Sequence, residues 1–220
     1  MEIARALGTA VAFVLGRDAR VADRSLATRV ESLAWLPLVG AFVGALAALA
    51  AAAGAATGTR VAGAFAAVVV LRLVVRPQRY GVVWAAAMMI ELVAVAALLP
   101  TARTVTIVVA AMLARWACVV QCYGGAPARE ASGLAALAGR TGFREFGIAS
   151  VTTLGTALVF LDAVGLAVAV TCAAVTLAVR TAVYARRGGI DAAAIDATSA
   201  LVETSALVVL AMIGVVMGRG

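Results

Sequence analysis

Ionisable residues stand deep inside long apolar runs of this chain, Glu91, Arg115 and Glu203 among them. A charge in hydrocarbon is expensive and persists with a partner or a task. Counted along a helix from the arginine-rich ends of their runs, Arg115 and Glu203 sit at matching depths, roughly 10 and 7 Å. At matching depth they could pair. Such a pair either pins two helices together or forms a cationic cavity wall with a carboxylate beside it, and the residues alone support both readings equally. Glu91, near the middle of its run, is expected as a buried neutral carboxyl hydrogen-bonded to a neighbouring helix, not as a catalytic group.

A second set of arginines, Arg76, Arg79, Arg129, Arg140, Arg144, Arg186 and Arg187, falls between the apolar runs. Guanidinium forks match phosphate oxygens, but the same residues also serve membrane topology and attraction to anionic lipid headgroups. Without a further signal the second use outweighs the first. The chain has no histidine, which excludes His-based proton relays, His metal ligands and haem ligation by His. Cys118, Cys122 and Cys172 form neither a CxxC pair nor a disulfide framework. Cys118 and Cys122 are one helical turn apart in an apolar run and read as small buried side chains. Nucleic acid is not an expected partner, because no soluble module or aromatic platform is present to hold bases.

The elements that must position these groups follow from composition. Of the 220 residues 65% are hydrophobic and 13% charged, and the mean hydropathy is +1.08. A water-soluble domain could not bury that much apolar surface, so the lipid bilayer is part of the solvent. The sequence predicts an all-α, polytopic integral membrane bundle forming a single domain over residues 1–220. Seven apolar runs are long enough to be candidate spans: 33–56, 61–75, 82–99, 104–122, 146–161, 164–184 and 198–217. The second and fifth are short. Residues 1–31 precede the bundle, with Ile3, Leu7, Val11 and Val14 at helical spacing and Arg5 on the other side. They read as an interfacial amphipathic helix followed by a polar segment, with no removable signal peptide. Gly40 and Gly44 make a GxxxG match, expected to serve packing within the chain rather than dimerisation.

Placing the N-terminus in the cytoplasm puts fourteen arginines inside and three outside, with Arg115 in a span. That asymmetry predicts a cytoplasmic N-terminus, an outside C-terminus and a cell-membrane location. The inner loops, chiefly 123–145 and 185–197, are the longer ones, so binding or chemistry is expected on the cytoplasmic face.

Several segments together resemble the cobalamin (5'-phosphate) synthase family, also called adenosylcobinamide-GDP ribazoletransferase. The family's "FPLVG"-like entry to its first long span is similar to Trp35-Leu36-Pro37-Leu38-Val39-Gly40. Its "DxRxG" element is similar to Pro77-Gln78-Arg79-Tyr80-Gly81, and its helix Arg with "P-x-R-x-x-G-L" to Arg115, Pro127, Arg129, Gly133 and Leu134. Its C-terminal "R-R-x-G-G…E" element is similar to Arg186-Arg187-Gly188-Gly189 and, further on, Glu203. The resemblance implies a Mg²⁺-dependent transferase that joins GDP-activated cobinamide to α-ribazole and releases GMP. It also implies phosphate contacts from Arg79, Arg115, Arg129, Arg187, Gly188 and Gly189, with Glu203 as a residual catalytic base or metal ligand.

The acidic half of the pattern is different here. The family's Asp-rich segment is absent, Leu73-Val74-Val75 running straight into Arg76-Pro77. The aspartate of "DxRxG" falls on Pro77, that of "TGD" on Ala193, and the first glutamate of the tail on Ala200. Asp191 and Asp196 stand nearby but out of register, possible metal ligands only if the loop is rearranged. Carboxylates are the oxygen ligands Mg²⁺ prefers, so the expectation is a relative that keeps the arginines without the metal-holding side. Three functions remain open. A non-catalytic relative, binding a corrinoid, a phosphate-bearing ligand or a membrane partner subunit, stands slightly ahead. An active ribazoletransferase with a rearranged acidic site follows. A transporter is weaker, since no broken-helix repeat pair is evident.

Overall fold

The computed structural model describes residues 2–15, 24–74, 81–98 and 100–217. Within them the chain is helical almost throughout, and a single isolated bridge between Pro127 and Ile190 stands in place of any sheet. The helices are α1 (Glu2–Val14), α2 (Leu26–Glu31), α3 (Leu36–Ala56), α4 (Arg60–Val74), α5 (Gly81–Ala97), α6 (Pro100–Cys122), α7 (Phe143–Arg187) and α8 (Ala192–Met217). Short 3₁₀ turns at Ser32–Trp35 and Gly133–Leu137 join α2 to α3 and punctuate the α6–α7 connection.

Four helical stretches are long and apolar enough to cross a membrane: Leu26–Ala56, Ala102–Cys122, Phe143–Arg187 and Ala192–Gly214. Two things separate this number from the seven expected runs. Helices α4 and α5 have 15 and 17 residues, about 22 and 26 Å of helix against a hydrocarbon core of about 30 Å. Helix α7 absorbs two of the expected runs in 45 residues, but it breaks at Asp162, whose backbone (φ 50°, ψ −137°) is not helical. A Cβ on Gly165 would lie 2.2 Å from the Ala157 carbonyl oxygen. In a straight helix residues eight apart are about 12 Å apart, so α7 folds back on itself at Asp162 and forms two packed arms.

Large apolar side chains point outward along these helices, Val159 at 76% and Phe42 at 65% exposure among them. Water would penalise that surface, whereas lipid does not. The centre is α6, the most enclosed of the four long helices, packed on α3, α7 and α8. Small residues set its approach. A Cβ on Gly40 would meet the Ala111 carbonyl oxygen at 2.6 Å and Arg115 Cγ at 2.8 Å, and one on Gly44 would meet Val108 Cα at 2.7 Å. The GxxxG pair therefore seats α3 on α6 within one chain, as expected.

Helix α1 forms where the spacing predicts it, but the bundle takes a different stripe. Ala6, Thr9, Ala10 and Phe13 are buried, while Ile3, Leu7 and Val11 face outward. Small residues allow close docking on α2, the 3₁₀ turn and α3, which leaves the larger apolar stripe facing outward. Arg72, inside the expected 61–75 run, lies in the last turn of α4 and is buried. Two boundaries differ. Arg103 lies in the first turn of α6, also buried, with its guanidinium donating to the Leu98 carbonyl at 3.3 Å. Helix α8 starts at Ala192, six positions before the expected run, because its polar first turns are capped and packed rather than solvated.

Candidate functional site

The arginine-rich end of the bundle is built by two chain segments that lie far apart in sequence. One is the 123–142 connection after α6, the other the 187–191 turn between α7 and α8. Gly188 (φ 68°) ends α7 in the left-handed conformation, its N–H bonded to the Tyr184 carbonyl at 3.0 Å. The segments then pair: Ala128 N–H donates to the Ile190 carbonyl and Ile190 N–H to the Ala126 carbonyl, both at 2.9 Å. A Cβ on Gly189 would meet Ala128 N at 2.8 Å, so glycine permits this approach.

Side chains of α7 reinforce the pairing. Arg180 Nη2 reaches the carbonyls of Val120, Gln121 and Tyr123 at 3.0, 2.7 and 2.6 Å. It places a cation on the C-terminal end of α6, where unpaired carbonyls and the helix dipole favour one. The Tyr184 hydroxyl bonds the backbone of Ala126. The segment holding Pro127 and Arg129 and the segment holding Arg187, Gly188 and Gly189 are thus brought together. Arg129 is exposed. Arg187 is ion-paired to Asp191, and Asp191 Oδ1 accepts from Ala194 N–H at 2.8 Å, capping α8.

Beneath this face a polar seam runs between α6 and α8. Gln121 Nε2 donates to Thr198 Oγ1 and to the Thr176 carbonyl, both at 3.0 Å. One and a half turns deeper Arg115 Nη1 donates to Ser199 Oγ at 2.7 Å. The Arg115–Glu203 ion pair is not formed. Because α8 begins at Ala192, Glu203 is about 16 Å along it, whereas Arg115 is roughly 10 Å from the end of α6. Ser199 therefore stands at the level of Arg115, and Glu203 lies one turn further in, 1% exposed.

Deeper still, Arg72 on α4 is ion-paired to Glu91 on α5. Arg72 Nε donates to Glu91 Oε2 at 3.0 Å, and Thr204 Oγ1 on α8 donates to Glu91 Oε1 at 2.7 Å. Glu91 is hydrogen-bonded to neighbouring helices as expected, but its main partner is a cation rather than a neutral group. The spacing of Glu91, Arg115 and Glu203 does not announce this pair. The position of Arg72 inside the 61–75 run was the available signal, since a mid-membrane carboxylate calls for a cation within reach.

The carboxylates do not suit Mg²⁺. Among the described residues no three His, Cys, Asp or Glu side chains come together as a metal site. Asp191 and Glu203 are twelve positions apart on one helix line, about 18 Å, and Asp191 is engaged as a cap. Ligands to one Mg²⁺ must all lie within about 2.1 Å of it. Asp196 stands between them, five positions from the first and seven from the second. Arg79 lies outside the described residues; Gly81, which follows it in the same motif, opens α5.

A family model, cobalamin-5-phosphate synthase, matches residues 79–213, well over half of the chain. The chain belongs to the cobalamin-5-phosphate synthase family. The match takes in both paired segments, Arg115, the α6–α8 seam and Glu203, while Arg72 and the 35–40 segment precede it. Membership in this family, together with the four long apolar helices, places the protein in the membrane and within a family of cobalamin biosynthesis. No curated protein and no solved structure matches the chain.

Proposed function

We propose that this member of the cobalamin-5-phosphate synthase family binds a phosphate-bearing ligand, in keeping with its family a GDP-activated corrinoid, without carrying out the metal-assisted transfer. The observation that carries this reading is a contrast on one face. The Ala128–Ile190 pairing holds the Arg129 and Arg187 segments side by side, while the acidic positions are strung along α8. Arg129, Arg187, Gly188, Gly189 and, at its own motif position, Arg79 are the proposed contacts, with Arg115 below them. Seven crossings with the N-terminus in the cytoplasm would place this face in the cytoplasm, where nucleotide-activated intermediates are available.

The test has two arms. In reconstituted membranes, labelled GDP is expected to bind, to bind more weakly to Arg129→Met, and to bind equally with and without a chelator. GMP release from GDP-activated cobinamide, α-ribazole and Mg²⁺ is expected to match empty membranes. Release well above that control would overturn the non-catalytic reading in favour of an active ribazoletransferase. One observation favours that second reading: Glu203, a family acidic position, keeps Oε2 without a protein partner.

A further inference from the structure

Four side chains in and next to the α6–α8 seam each keep one buried polar atom without a protein partner: Gln121 Oε1, Arg115 Nε, Glu203 Oε2 and Arg72 Nη1. All four residues are buried, Arg115 being the most accessible at 8%. They follow one another in depth. Gln121 is tied to Thr198 and Arg115 to Ser199. Glu203 comes one turn later, and Arg72 is joined through Glu91 to Thr204. Their open atoms alternate as acceptor, donor, acceptor and donor.

Such atoms in a membrane interior need partners, because no bulk water reaches them through lipid. Direct pairing does not supply them: Glu203 is within electrostatic reach of both Arg115 and Arg72, yet Arg115 bonds Ser199 and Arg72 bonds Glu91. We infer that ordered water fills this seam from the arginine-rich face down to Glu203, forming a polar inlet closed at its far end. Waters in series can accept from Arg115 Nε and Arg72 Nη1 and donate to Gln121 Oε1 and Glu203 Oε2. Each then has the two or more polar partners that a buried water requires. The mouth lies at Asp196, partly exposed on α8 one turn above Ser199. The far end is shut by Ala206, Leu207, Leu210 and Ala211, all buried and apolar, and by Glu91, both of whose oxygens are engaged. The seam is therefore an inlet and not a transmembrane path, whichever ligand the surface segments bind.

Hydroxyl-radical footprinting of the intact detergent-solubilised protein tests this, since radicals born from bound water oxidise the side chains beside it. Cys118 is 2% exposed and sits within reach of Ser199 and Arg115. Cys172 is equally buried and stands on α7 against α8, with Sγ 3.9 Å from the Val202 carbonyl, but it bonds none of the four side chains whose polar atoms are open. Cys118 is expected to oxidise several-fold faster than Cys172. Removing the polar pair with Arg115→Leu/Glu203→Leu is expected to bring Cys118 down to the rate of Cys172. Equal slow oxidation of the two cysteines in the unaltered protein would show a dry seam and overturn the inference. A reporter beyond the inlet, Leu207→Cys, is expected to stay as slow as Cys172; rapid oxidation there would overturn the closed end.

Discussion

Arg72 and Glu91 illustrate what a buried ion pair demands of its neighbours. Each charge is tolerable in the bundle because the other is present, and Thr204 completes the carboxylate's hydrogen bonds. Arg72→Met leaves Glu91 buried without its cation, and a loss of about 3 kcal/mol is expected. Arg72→Met/Glu91→Leu, which removes both charges, is expected to recover much of that loss in thermal unfolding in detergent. Glycines separate in the same way. Gly40→Ala drives a methyl into the Ala111 backbone, which cannot yield without parting α3 from α6, and a cost of about 1–3 kcal/mol is expected. Gly155→Ala meets nothing within 4 Å and is expected to be neutral or to add about 0.5–1 kcal/mol through helix propensity. A matched pair of melting curves checks the contrast.

At the scale of elements, the end of α6 and the break in α7 decide how the site is held. Arg180 meets three carbonyls with one nitrogen. A lysine ammonium has three donors on a compact head, so Arg180→Lys is expected to keep the 123–131 segment docked. Arg180→Met is expected to raise amide hydrogen exchange in that segment roughly tenfold, the scale of one charge-assisted hydrogen bond. Exchange unchanged from the unaltered protein in both variants would show that the backbone pairing with Ile190 suffices alone. Asp162 holds a backbone conformation that suits glycine far better than a residue with a Cβ. Asp162→Gly is expected to stabilise the fold by about 1 kcal/mol, measured as a rise in melting temperature with the turn between the two arms retained.

At the scale of the whole molecule, the two shorter helices, of 15 and 17 residues, set the number of crossings. If α4 and α5 cross completely, Gly81→Cys at the start of α5 is expected to be labelled only from the side that carries Arg129 and Arg187. Labelling from the opposite side would mean that the pair enters and leaves on one face, and would remove two of the seven expected crossings. The sequence by itself determined the all-helical membrane class, since no other solvent suits 65% hydrophobic residues. It also determined the turn near Asp162, the internal use of Gly40 and Gly44, and the family, whose motifs recur in order along the chain. These are local or compositional properties that survive without knowledge of neighbours. Tertiary structure decided who partners whom. Arg115 meets Ser199 and not Glu203 because the start of α8 sets the depth of every residue on it, and that start depends on Asp191 capping the helix. Arg72 meets Glu91 because two helices are placed side by side. The pairing of the Arg129 and Arg187 segments rests on two backbone hydrogen bonds, Ala128 to Ile190 and Ile190 to Ala126, between stretches about sixty positions apart; no side-chain pattern announces those, because backbone groups are the same in every residue.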